Sequence, residues 1–560
     1  MVPWKKQPWE ITKGKSIAAT FLLLCFTNLL WLIIRTGTKP SRITYPCQKA
    51  AATNFSLSLG ALFPISLTAL TVSFAKASSF FSKNKNYFLA IPLLVAIGGG
   101  LYANGLFGGL SNSQAQEFQL VFESQTATGS PASDIYVVTG RSAAHVTELI
   151  SLMGSHDLLF YQSPVTGTNQ GPTGLIAHDD VVLLKINCQW DERGGTNTDV
   201  LIEVIQAIID HPDGFVGEIV VADNGQGVGS MDWGNANAED PGQSSQDVVD
   251  MFSSEHNVST FSWQNIRHRE VEEYYLGDDL NGYVLYPRAD SNTGIIVSYP
   301  KFRTAFGTEI SFKRGFWNGT AYTRPLKVIN MPVLKSHFRY GVTAALKNYM
   351  GVQSEGINGG LANGHVTIAT GGMGTLMVET APPTLTILDA IWVNANPYPA
   401  SSTGPPTAYD DATRVNVLLA SVDPAALDYW AAKHVLMQTA GLLGYTDTHT
   451  LDPENTQRSG LEEAFGVYLD LTLDALIRGG HNVTTNEDHM NVFVQEGSSS
   501  STSPTSSLGS SSPTSAGGSL SSGTSTGATN GTSGFGVVGV MLGLAATIVF
   551  LVLKRKRKTP

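Results

Sequence analysis

"DDVVLLKIN" (179–187), "TDVLIEVIQAIID" (198–210) and "GEIVVADNG" (217–225) follow one another in the chain, and their reading decides the fold. The first is an unbroken apolar run closing on polar residues, the pattern of a strand buried on both faces. The second places Val200, Leu201, Val204, Ile205, Ile208 and Ile209 on one helical stripe, with Thr198 or Asp199 at its N-cap. "HPDG" (211–214) stops that helix, and the third run is another strand. Strand, helix and strand joined by short links form a βαβ unit. The expected class is therefore α/β, with a parallel or mixed sheet flanked by helices.

The alternation extends in both directions. "DIYVVTG" (134–140) is an expected strand and "SAAHVTELISLMG" (142–154) a helix. Further strands are expected at "TGIIVSYP" (293–300), "PLKVINMP" (325–332), "PTLTILDAIW" (383–392) and "RVNVLLASVD" (414–423). Together they outline one α/β domain over 118–490, with no internal repeat. In open α/β sheets ligands bind beyond the carboxyl ends of the strands. The apolar runs here end on Lys185 and Asn187, on Asp223 and Asn224, on Asn330 followed by Lys335 and His337, on Asp389, and on Ser421 and Asp423. Charged and amide groups from several elements thus aim at one rim.

"NMPVLKSHFRYGVTAALKNYMGVQ" (330–353) concentrates cationic groups beside apolar ones. Read as a helix over 341–349, it puts Val342, Ala345, Leu346 and Tyr349 on one face and Thr343 and Lys347 on a flank. Gly341 and Gly351 suit its two ends. Lys335 and His337 then occupy the strand-to-helix loop, where free N–H groups and the helix dipole already favour an anion. The plainer alternative is that the lysines are solvated and His337 caps or packs. "SVDPAALDYWAAKHVL" (421–436) repeats the shape, with Asp423 as N-cap, Pro424 in the first turn and Asp428 placed to reach a lysine or a metal. "GGLANGHVTIATGGMG" (359–374) fits no phosphate-loop pattern and reads as a mobile loop, with His365 as a weak ligand candidate.

Charge is unevenly distributed. Of 35 Lys/Arg and 46 Asp/Glu, residues 1–108 and 554–560 hold sixteen bases and one acid. The stretch between keeps 19 bases and 45 acids, a net of −26. Such a domain repels nucleic acid, so none is expected as a partner. Cys25, Cys47 and Cys188 are scattered without a Cys-x-x-Cys or Cys/His spacing, so no zinc, haem or iron–sulfur centre is expected. No G-x-S-x-G or HExxH motif marks a hydrolase.

Four apolar runs, at 17–34, 57–75, 87–106 and 535–553, are long enough to cross a bilayer, and three N-terminal helices and one C-terminal helix are expected there. "KRKRK" (554–558) follows the last and favours a cytoplasmic tail at 554–560. That orientation puts the α/β domain outside the cell, in a multi-pass protein of the cell membrane. The basic 35–56 loop is the one feature that disagrees. Asn54, Asn257, Asn318, Asn482 and Asn530 each open an N-x-[ST] triplet, and all fall on the expected outer side. Residues 497–534 are almost only Ser, Thr, Gly and Pro, the composition of a solvated stalk. Few ionisable residues interrupt the spans, which disfavours a transport path.

"VVLLKIN" (181–187), "NMPVLKSH" (330–337), "GVTAALKNYMG" (341–351), "LDA" (388–390) with "GP" (404–405), and "LLASVDPAALDYWAAKHVL" (418–436) resemble the family called domain of unknown function 362 over roughly residues 130–440. The resemblance implies an α/β fold and no assigned reaction. It carries over Lys185, Asn187, Lys335, His337, Thr343, Lys347, Asn348, Asp389 and Asp423 as matching polar positions. Many relatives also carry ferredoxin-type cysteine clusters, which this chain lacks.

The expectation is an anchored outer domain that binds a small anionic ligand. Lys335, His337 and Lys347 are the candidate catalytic residues, and His337 is the best general acid or base because imidazole titrates near neutrality. Lys185, Asn187, Asp223, Asn224, Thr343, Asn348, Asp389 and Asp423 are the candidate binding residues. Asp223, Asp389 and Asp423 would orient the bases or hold a divalent cation. The rival expectation is a non-catalytic module for surface adhesion or envelope structure.

Overall fold

The apolar run after Asp180 forms the strand Val181–Lys185 (β2), buried at every position. The helix Thr198–Ile209 (α2) and the strand Glu218–Asp223 (β3) follow it, and β2 and β3 pair in parallel. The computed structural model describes residues 117–496 apart from 141–144, 235–236, 358–364, 369, 399–408, 410 and 458–463. The four expected membrane spans, the stalk, the basic tail and the triplets at Asn54 and Asn530 lie outside the described residues. Among those described, no helix is long and apolar enough to cross a membrane.

Ten strands form the main sheet. Besides β2 and β3 they are Ser133–Thr139 (β1), Val258–Ser262 (β4), Lys327–Asn330 (β5), Val333–His337 (β6), Gly341–Thr343 (β7), Leu385–Asn394 (β8), Thr413–Ser421 (β9) and Met490–Glu496 (β10). The order is β10-β1-β9-β8-β5-β2-β3-β4, with β6 paired to β8 and β7. From β8 to β4 all pairs are parallel, while β9 runs against both β8 and β1. The sheet is mixed.

Alternate residues of each strand serve two cores. Val182, Leu184, Ile219 and Val221 pack with Val146 and Leu149 of Val146–Ser155 (α1), with Val200, Leu201 and Val204 of α2, and with Val248 of Ser245–Phe252 (α3). Each fully buried aliphatic side chain of that layer contributes about 1.5–3 kcal/mol relative to exposure. Leu183 and Val220 face the other way, toward Leu376 of Gly372–Glu379 (α5), Leu427 of Pro424–Ala431 (α6) and Tyr468 of Phe465–Arg478 (α7). Helices therefore cover both faces.

Four local expectations are corrected. The N-cap of α2 is Asn197, whose side chain accepts from the Asp199 and Val200 N–H groups. Residues 341–349 are not one helix: β6 and β7 form an antiparallel hairpin, and only Ala345–Asn348 (α4) is α-helical, with a 3₁₀ turn at Tyr349–Gly351. Tyr340 and Gly341 turn that hairpin at φ of 63° and 70°, and a Cβ on Gly341 would lie 1.7 Å from the Thr450 carbonyl oxygen. Of 293–300, only its end is a strand, Ser298–Arg303, which belongs to a separate four-stranded antiparallel sheet. The glycine-rich stretch at 359–374 contains a helical turn, His365–Ile368, and the start of α5.

From β2 the chain passes through α2 to β3 and through α3 to β4. It then returns to β5 on the other side of β2 and moves away toward β8. The connections after β2 and after β5 depart in opposite directions, which opens a crevice at their carboxyl ends.

Candidate functional site

That crevice holds a cavity of about 50 Å³ lined by Lys185, Asn187, Gln189, Trp190, Asp223, Gln226, Lys335, His337, Thr343, Lys347, Asn348, Met350 and Gly351. Register explains the convergence. Lys185, the last residue of β2, lies level with Asn330 of β5 and Ala222 of β3, so Asp223 projects one residue further. The β6–β7 hairpin then brings Lys335 opposite Thr343, and α4 adds Lys347 and Asn348.

Lys185 is fully buried and fully partnered. Its Nζ donates to the Ile186 carbonyl at 2.7 Å and to Asn348 Oδ1 at 3.1 Å, and lies 2.9 Å from Asp223 Oδ1. Asp223 Oδ2 accepts from the Cys188 N–H at 2.9 Å. Asn348 Nδ2 in turn donates to Asn330 Oδ1 at 2.8 Å, and Asn330 Nδ2 donates to the Ala345 carbonyl. This network ties the ends of β2, β3 and β5 to α4 and neutralises one lysine with one aspartate.

The other two lysines stand differently. Lys335 is 1 % exposed and donates to the Gly194 carbonyl. Burial pulls its ammonium down to about 7, while Asp223 and Asp389 act in the opposite sense. Lys347 is 4 % exposed, and its Nζ has no hydrogen-bond partner among the described residues. Burial, then the charges of Lys335 and Arg339, hold it well below the usual lysine range. Thr343 Oγ1 on the same wall is also buried without a partner. His337 stacks on Phe338, and its Nδ1 lies 2.9 Å from the Arg339 N–H and 2.6 Å from the Arg339 carbonyl oxygen, contacts that call for opposite tautomers.

Eight of the expected residues meet in the cavity: Lys185, Asn187, Asp223, Lys335, His337, Thr343, Lys347 and Asn348. Asn224, Asp389 and Asp423 are buried outside its lining. Asn224 Nδ2 donates to the Gln353 carbonyl and its Oδ1 accepts from the Gln226 N–H. Asp389 accepts from the Ile391 and Asn197 N–H groups and from Asn237 Nδ2, and burial raises its carboxyl to about 7. Asp423 caps α6 through the Ala425 and Ala426 N–H groups, and its other oxygen accepts from Ser133 Oγ and the Thr484 N–H. Among the described residues Asp428 pairs with no lysine: its two oxygens accept from the Ala345 and Leu346 N–H groups at 2.7 and 2.9 Å, holding the first turn of α4.

Among the described residues, no group of three or more His, Cys, Asp or Glu side chains gathers to hold a metal. Gln189, Trp190, Gln226, Met350 and Gly351 are wall residues that sequence reasoning missed. Gln189 and Trp190 follow Asn187 and Cys188, and Gly351 closes the "LKNYMG" piece, so position along the chain was the available signal. A smaller cavity of about 20 Å³ shares Asn187 and Trp190 and reaches Thr198 and Ser244, at the starts of α2 and α3.

A family model described as domain of unknown function (DUF362) matches residues 314–433. Over that segment the chain is similar to the family, and the match is narrower than the 130–440 suggested by motif resemblance. It contains β5 to β9 with α4, hence Lys335, His337, Thr343, Lys347 and Asn348, and leaves out the β2–β3 wall with Lys185, Asn187 and Asp223. Comparison with curated proteins and with solved structures gives no match.

Proposed function

We propose that the chain presents, on a membrane-anchored domain outside the cell, a cavity that binds a small anion such as a carboxylate or a phosphate. One observation carries this reading: Lys347 is buried beside Lys335 with no acceptor for its amine among the described residues. An ammonium buried without a counter-charge costs several kcal/mol, and the cost is relieved by losing the proton or by gaining an anion. The Lys185–Asp223 pair is internally neutral, so a proton held by Lys335 or Lys347 makes the cavity positive. At about 50 Å³ the space holds roughly four waters, or one small oxyanion in their place.

Thermal unfolding of the full chain with inorganic phosphate and with acetate tests the reading, because a ligand that binds only the folded state raises its midpoint. The midpoint should rise below pH 7, and the double variant Lys335→Met/Lys347→Met should lose the response. Equal responses in both proteins would remove the cavity from the explanation.

The anchor and orientation rest on the four apolar runs, the basic "KRKRK" cluster and the N-x-[ST] triplets. Within the described residues Asn257, Asn318 and Asn482 are themselves exposed; the Asn318 and Asn482 triplets lie in loops, whereas the Asn257 triplet runs into the buried start of β4. Protease added to intact cells should release the domain, and a glycosidase should increase its mobility on a gel. A domain protected until lysis contradicts this placement.

A further inference from the structure

We propose that Lys347 is a nucleophile that forms a Schiff base with a short oxo acid whose carboxylate lies against Lys335. The inference deepens the anion-binding reading and rests on it. A lysine attacks a carbonyl only as the neutral amine, and the arrangement that keeps it neutral is burial next to another cationic group. Lys347 has both features: its Nζ is buried without an acceptor, and Lys335 and Arg339 are the charges nearest in effect. A lysine that served only as a fixed counter-charge would be held by a carboxylate or carbonyl, as Lys185 is by Asp223 and Ile186. Lys335 differs from Lys347 in the same sense. It donates to the Gly194 carbonyl and feels Asp223 and Asp389, which favour its charged form. The cavity thus pairs one amine suited to attack with one suited to hold a carboxylate.

The chemistry balances without any further reagent. The Nζ lone pair bonds to the carbonyl carbon while the carbonyl π electrons move to oxygen, which takes one of the two Nζ protons, giving a neutral carbinolamine. That intermediate loses its hydroxyl as water and a proton from nitrogen, leaving the C=N bond with no change in oxidation state. Thr343 Oγ1, buried without a partner on the same wall, is placed to hydrogen-bond the carbinolamine oxygen. His337 lines the cavity as the group able to carry protons near neutrality. The small volume limits the ligand to a few carbons.

The test is reductive trapping in the full chain, with glyoxylate or pyruvate and sodium cyanoborohydride, followed by peptide mapping. Because only the neutral amine condenses with a carbonyl, label on Lys347 should exceed that on the partly exposed Lys313 and Lys433 by at least about tenfold. Glycolate and lactate, which lack the carbonyl, should raise the unfolding midpoint without labelling. Label spread evenly over lysines, or absent from Lys347 while lactate still stabilises, overturns the Schiff base and leaves anion binding standing. If lactate and pyruvate both fail to stabilise and Lys347 stays unlabelled, both readings fall. The labelling site is mapped in the unmodified sequence, so the result does not depend on a variant that folds.

Discussion

Lys185 Nζ lies 2.9 Å from Asp223 Oδ1, with both side chains almost wholly buried at the adjoining ends of β2 and β3. Breaking such a pair by removing one partner leaves an uncompensated buried charge and costs about 3–5 kcal/mol. Asp223→Asn should show that loss in urea unfolding followed by tryptophan fluorescence. Lys185→Met/Asp223→Asn should recover most of it, because the asparagine oxygen still accepts from the Cys188 N–H. An Asp223→Asn protein within about 1 kcal/mol of wild type would mean the pair does not hold this edge together.

Gly351 is the residue that lets the 3₁₀ turn after α4 approach the pair. A Cβ there would sit 2.1 Å from Asp223 Oδ1 and 2.7 Å from Lys185 Nζ. Gly351→Ala should destabilise the domain by about 1–3 kcal/mol, as overpacking does. It should also abolish the anion-dependent rise in unfolding midpoint, since the displaced groups line the cavity. A variant that keeps both stability and the anion response contradicts this packing.

The β2-α2-β3 unit was legible because its two periods differ sharply: a continuous apolar strand, a stripe at helical spacing, then another strand. The hairpin at 333–343 was not. Val342, Ala345, Leu346 and Tyr349 fit a helical stripe, yet Val342 belongs to β7, and Ala345, Leu346 and Tyr349 to α4 and the 3₁₀ turn after it. The left-handed turn at Tyr340 and Gly341 leaves no room for a Cβ on Gly341 beside the Thr450 carbonyl, a long-range approach that no local pattern carries. Lys185, Asn187 and Asp223 reach the cavity as polar residues closing apolar runs, whereas Thr343, Lys347 and Asn348 reach it from β7 and α4. Asp389 and Asp423 do not reach it, for a physical reason. Asp389 lies in the middle of β8 and Asp423 just after β9. Each is held by backbone N–H groups and one side-chain donor, so both hold a loop or a helix start rather than face the cavity.

Asp428 of α6 governs α4 from a distance of some eighty positions in sequence. Asp428→Ala removes both acceptors from the Ala345 and Leu346 N–H groups and should cost about 1–2 kcal/mol, in the range of a lost helix cap. Because α4 carries Lys347 and Asn348, the same change should weaken the anion response, and Asp428→Asn, which retains one acceptor, should weaken it less. Unchanged anion binding in Asp428→Ala would show that the Asn348 network alone positions the turn.

Lys335 supplies the sign of the pH dependence. Its ammonium is held down to about 7 in the folded chain against 10.5 ordinarily, so between those values the unfolded chain binds the extra proton. Stability from this group is present above the ordinary value and lost as the pH falls through about 7. Ligand-free stability should thus rise with pH across that window by up to about 1.4 kcal/mol per unit, relative to Lys335→Met. A bound anion reverses the preference, since it favours the protonated lysine. The rise in midpoint caused by phosphate should therefore shrink as the pH climbs past 7, while the ligand-free protein becomes more stable. Two trends of opposite sign in one protein, both reduced by Lys335→Met and reduced further by Lys335→Met/Lys347→Met, are what separates the cavity lysines from general surface charge. A phosphate effect that stays constant across the window assigns the response to some other group.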